Sequence, residues 1–96
     1  MANIKELSAE LKSLSHTKED IEKRIEITFK IMKLYARTQK RTKSDEAVCI
    51  NAALALSVIV QKGLGAKTRK FLETYNGLPD RVYTILQSSI LRMEGY

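Results

Sequence analysis

Ninety-six residues with a net charge of +6, one cysteine and one histidine suffice for one domain with a single hydrophobic core. They exclude an intramolecular disulfide and any zinc site built from several cysteines. No apolar run reaches the ~20 residues of a bilayer span, and the polar start MANIKELSAELK has no secretion-signal core, so a cytoplasmic protein is expected.

Asn3 with Glu6 fits a helix N-cap and its partner three residues on. Ile4, Leu7, Leu11 and Leu14 then recur at helical spacing, which predicts a first helix over about 3–14. Ser15-His16-Thr17 breaks it. His16 stands beside a cap with no second ligand candidate, so it reads as a solvated loop residue, neither metal ligand nor catalytic base.

Thr17 is the next N-cap candidate, with Glu19 and Asp20 in the first turn, where the helix dipole favours negative charge. No glycine or proline follows until Gly63, and a second helix over about 18–42 is predicted. Ile21, Ile25, Phe29, Met32 and Ala36 form one apolar stripe, and Ile27, Ile31 and Leu34 a second. An arc that wide should pack against two or more other helices. Arg24 falls inside it, where a snorkelling edge position or a carboxylate partner is expected.

Thr42-Lys43-Ser44 forms a tight connection, and Ser44-Asp45-Glu46 opens a third helix, over about 45–62. Twelve of the fourteen residues from Ala47 to Val60 are apolar, so this helix should be central and enclosed, with Leu54 and Leu56 in the core. Cys49 lies within the run and reads as a small buried hydrophobe. Gly63 is expected to end the helix in the left-handed conformation. GLGAKT lacks Walker A spacing and follows a helix, so it is no phosphate loop. LGAKTRKFL has the flavour of a recognition helix, but its glycines sit wrongly for a helix-turn-helix.

A fourth helix over about 67–76 turns Phe71, Leu72 and Tyr75 inward. Asn76-Gly77 closes it, and Pro79 suits the first turn of a fifth helix, over about 79–93. There Val82, Ile85, Leu86, Ser89, Ile90 and Met93 make one buried face, while Tyr83 and Leu91 fall off it, either as exposed apolar residues of the kind common on monomers or as a contact patch, for instance with a second copy. The fold class is an all-α bundle of five helices in a single domain. In its order of elements, Ser44 to Tyr75 resembles the class IIa bacteriocin immunity proteins, small basic cytosolic helical bundles. That likeness shares no motif, and no residue role is transferred from it.

Chemistry has few residues to use. HExxH, CxxC and GxSxG are absent, and the lone Cys49 and His16 are far apart in sequence. Glu22 and Glu26 sit among lysines where i, i+4 pairing accounts for them. A non-enzymatic protein without metal or cofactor is expected.

Charge distribution is more telling. Residues 1–26 carry five basic and six acidic groups, whereas Lys30, Lys33, Arg37, Lys40, Arg41 and Lys43 follow with no acid between Ile27 and Ser44. On a continuous helix the first five form a ridge about 16 Å long, suited to a phosphate backbone or an acidic protein. The partner is thus nucleic acid, or alternatively an acidic protein bound by an inhibitor, immunity factor or adaptor. Lys62, Lys67, Arg69 and Lys70 make a second patch, expected at the opposite end, near Glu19, Asp20 and Glu22.

Overall fold

The computed structural model describes residues 3–15 and 17–96; His16, and the expectation attached to it, lie outside them. Five helices follow one another: α1 (Ile4–Ser13), α2 (Lys18–Arg37), α3 (Lys43–Ser57), α4 (Leu64–Thr74) and α5 (Asp80–Met93). Among the described residues there is no strand, and the all-α bundle expected from periodicity is the fold.

Local chemistry sets the helix starts. Asn3 Oδ1 accepts the Glu6 N–H at 2.9 Å. Thr42 and Asp45 exchange side-chain and backbone bonds in a capping box, so α3 begins at Lys43, two residues early. Thr17 occupies the N-cap position of α2 without a side-chain cap bond. Its hydroxyl meets Ser15 Oγ, and Asp20 reaches back to accept from Ser15 N and Oγ.

Two helices end sooner than expected. α2 stops at Arg37, where Thr38 Oγ1 bonds Leu34 O at 2.7 Å and the chain turns extended. α3 stops at Ser57, ahead of the β-branched run Val58-Ile59-Val60, which propagates a helix poorly. Arg92 from α5 donates to Ser57 O, and Gln61 N donates to Met93 O, so partners outside the helix take these backbone groups.

α3 is central: it packs against α1, α2 and α5. Ile31, Met32, Cys49, Leu56, Val82, Leu86 and Met93 are fully enclosed between these helices. The molecule measures 38 × 28 × 18 Å, and 18 Å is the depth of two helix layers at about 8–10 Å each. A two-layer slab cannot cover a central helix on every side. Ala47, Asn51, Leu54 and Val58, one face of α3, are accordingly exposed, Leu54 by 43% and Val58 by 69%. The expectation that α3 is enclosed all round, with Leu54 in the core, is corrected by that geometry.

Gly63 does not cap the end of α3. It is the N-cap of α4, at φ 86°, and reverses the chain so that α4 packs on α5. Glu94 from α5 then accepts the N–H of Gly63 at 3.0 Å and of Ala66 at 2.9 Å, capping α4 from a distant part of the chain. Gly65 is needed for closeness: a Cβ there would stand 2.6 Å from Ile90 O and against Glu94 Cγ. No described helix is long and apolar enough to cross a membrane.

Candidate functional site

The reversal at Gly63 sends α4 alongside α2 in the same direction. Lys67 lies over Phe29, Phe71 meets Phe29, and Tyr75 lies under Lys33 and Arg37, so positions rise together along both helices. The two backbones stay apart, and aromatic rings bridge the gap. Phe29 and Phe71 meet edge to face at 5.1 Å and 63°, and Phe71 and Tyr75 follow at 4.8 Å.

Above these rings runs an open groove of about 570 Å³. Its floor is Ile25, Phe29, Phe71 and Tyr75; its rims carry Lys30 and Lys33 on α2 and Lys67 and Lys70 on α4. Lys67 Nζ stands 5.3 Å from the Phe29 ring centre, and Lys33 Nζ and the Arg37 guanidinium each stand 6.0 Å from that of Tyr75.

Two acids temper one end. Glu26 pairs with Lys30 at 2.9 Å, and Lys30 first, then Lys67, hold its carboxyl below the ordinary glutamate range. Glu22 accepts from the Gln61 side chain, which ties the end of the α3–α4 connection to the start of α2. Toward Lys33, Lys70, Thr74 and Tyr75 the lining has no acid.

The basic residues found by sequence are therefore redistributed. Lys30, Lys33 and Arg37 remain on α2, but the continuous five-residue ridge does not form, because the helix ends before Lys40 and Arg41. Arg41 instead folds back along the surface onto the chain. It donates to the carbonyls of Thr38, Gly77 and Ala36 and lies 4.7 Å over the Tyr35 ring, fixing the α2–α3 and α4–α5 connections to each other. Lys43 is the first residue of α3.

The second patch divides. Lys67 and Lys70 face the groove, across from Lys30 and Lys33, while Lys62 and Arg69 border a separate hollow beside Leu91 and Tyr96. Of the acids it was expected to lie near, Glu22 lines the same groove as Lys67 and Lys70, and it accepts from Gln61, one residue before the patch. α4 then carries the lysines back along α2.

Tyr83, in α5, is half-buried and donates to Tyr75 O at 2.8 Å, which ties the start of α5 to the end of α4. Leu91 is 65% exposed. Burial pushes the Cys49 thiol up to about 12, which leaves no thiolate at neutral pH. Among the described residues no three His, Cys, Asp or Glu side chains could together hold a metal ion. The aromatic floor was missed in sequence, although Lys67, Lys70, Phe71 and Tyr75 stand at i, i+3, i+4 and i+8, the spacing of one helical face.

Comparison of the chain with models of protein families, with curated proteins and with solved structures finds no match.

Proposed function

We propose that this chain is a non-catalytic binding protein whose α2–α4 groove takes an acidic, amphipathic segment of a protein partner. The observation that carries the reading is the convergence of Lys30, Lys33, Lys67 and Lys70 around an apolar floor. A groove between helices with apolar depth and charged rims suits a helix whose apolar face enters while its acidic edges meet the lysines. Charge complementarity at the rims speeds and orients such docking, while the half-buried Tyr75 and the lysine stems offer it apolar contact.

Nucleic acid fits the groove less well. Single-stranded binders gain about 1–3 kcal/mol per base stacked on an aromatic face, whereas Phe29 and Phe71 are only 5% and 6% exposed and meet each other edge to face. A duplex backbone is suited by a continuous ridge, and α2 ends before completing one. The reading includes no turnover: the groove sets lysines beside two glutamates, with no nucleophile held against a base.

The test is a titration followed by amide NMR with three probes. These are a designed amphipathic helix with a leucine face and glutamate edges, a twenty-nucleotide oligo-dT and a DNA duplex. The expected result is saturable shifts at Phe29, Lys33, Phe71 and Tyr75 with the peptide alone. Tighter binding of either nucleic acid, at the same residues, would return the function to polyanion binding.

A further inference from the structure

A second feature lies on the other side of α2, at Arg24. Arg24 is more than nine-tenths buried. The burial is that of its stem: none of its nitrogens is both enclosed and unpartnered, so the guanidinium keeps contact with the open space it borders. Among the described residues no carboxylate lies within ion-pair distance of it, and its one hydrogen bond is a long one, from Nη1 to Leu14 O at 3.4 Å. Asp20, one turn earlier on α2, spends its carboxylate on Ser15 N and Oγ, both at 2.8 Å. Asp20 thus acts on Arg24 through charge alone, and of the two arrangements expected for Arg24 the bonded carboxylate partner is not the one found among the described residues.

What Arg24 faces is a hollow of about 320 Å³ bounded by α1, α2 and α3. Leu11, Leu14, Ile31 and Val48 give it aliphatic walls, and Asn51 and Lys12 add polar groups. A planar guanidinium matches a carboxylate with two parallel hydrogen bonds, and a partly desolvated site strengthens them. The volume is at the low end of the ~300–1,000 Å³ typical of ligand pockets, so the body of the ligand must be small.

We propose that this hollow binds a carboxylate carried on a short aliphatic body, with Arg24 holding the head and the leucine walls the tail. Lys12 and Asn51 add a second charge and an amide donor beside the head. The site lies away from the lysine-rimmed groove and shares no lining residue with it, so the two stand or fall separately.

Sodium octanoate is the probe, with 1-octanol as its neutral counterpart and octyl phosphate as the alternative head. The expected result, read by NMR at Leu11, Arg24 and Asn51, is saturable binding of octanoate at millimolar concentration and none of octanol. Arg24→Met keeps an apolar stem and removes the fork, and it should weaken octanoate about tenfold or more. Octanol binding as well as octanoate, or octanoate binding unchanged in Arg24→Met, overturns the proposal. So does the absence of any shift in the unaltered protein. Tighter binding of octyl phosphate overturns the carboxylate assignment. The octanoate–octanol comparison needs no variant, so it decides the matter even if Arg24→Met fails to fold.

Discussion

Lys67 Nζ on α4 stands 5.3 Å from the centre of the Phe29 ring on α2, although the two residues are separated by all of α3 and a reversal of the chain. That contact makes one groove from two basic stretches. It depends on α4 returning along α2, and hence on the joint between α4 and α5.

The joint gives the first prediction. Gly65→Ala places a methyl group against Ile90 O, which is backbone, and Glu94 Cγ, whose side chain is held by its bonds to Gly63 and Ala66, so neither yields cheaply. The cost should be about 1–3 kcal/mol, as overpacking usually is, measured by urea unfolding. Peptide binding in the groove should weaken with it, since α4 loses its seat.

Glu94 adds a pH dependence. The N–H groups of Ala66 and Gly63 hold its carboxyl below the ordinary glutamate value of 4.5. A carboxyl lowered on folding stabilises the fold above its unfolded pKa and loses that contribution as pH falls through the folded one. Glu94→Gln should therefore be less stable than the natural chain at neutral pH, and the gap should close below pH 4.5. Thermal unfolding followed by circular dichroism from pH 7 to pH 3 reads it. Asp20 and Glu26 are lowered too, so both proteins lose stability in acid, and only their difference reports Glu94.

Helix three separates two leucines. Leu56 is fully enclosed, so Leu56→Ala should cost about 2–5 kcal/mol by opening a cavity. Leu54 is 43% exposed, and Leu54→Ala should cost less than about 1 kcal/mol. Chemical unfolding of both variants checks the direction in which the face of α3 points.

These leucines also show how far the sequence was legible. Helical periodicity found five helices, because Ile, Leu and Val at i, i+3, i+4 positions report a buried face wherever it lies. It did not find the exposed stripe of α3, because a single small uncharged residue on that side, Asn51, was outweighed by the twelve apolar residues around it. Nor did it find the end of α2, where Thr38 bonds Leu34 O and Arg41 bonds the carbonyls of Ala36 and Thr38. That helix ends with no glycine or proline to announce it. The groove was hidden for a third reason. Its two walls meet only because Gly63 is left-handed and Glu94, thirty-one residues on, caps the new helix.

Arg41 illustrates the consequence for function. It looked like part of a binding ridge, yet it joins three carbonyls and the Tyr35 ring. Arg41→Ala should cost about 1–3 kcal/mol of stability. Lys40→Ala, with an exposed side chain, should stay within about 0.5 kcal/mol.

The central claim, that one groove binds through both of its walls, is tested most directly by charge reversal on each. The reporter is the affinity of the leucine–glutamate peptide for three double variants of equal net charge. Lys33→Glu with Arg37→Glu, and Lys67→Glu with Lys70→Glu, should each weaken binding about tenfold. Lys40→Glu with Lys43→Glu, outside the groove, should leave it within about twofold. Equal losses from all three pairs would mean diffuse attraction to a basic surface, and a loss confined to the α2 pair would mean that α4 forms no part of the site.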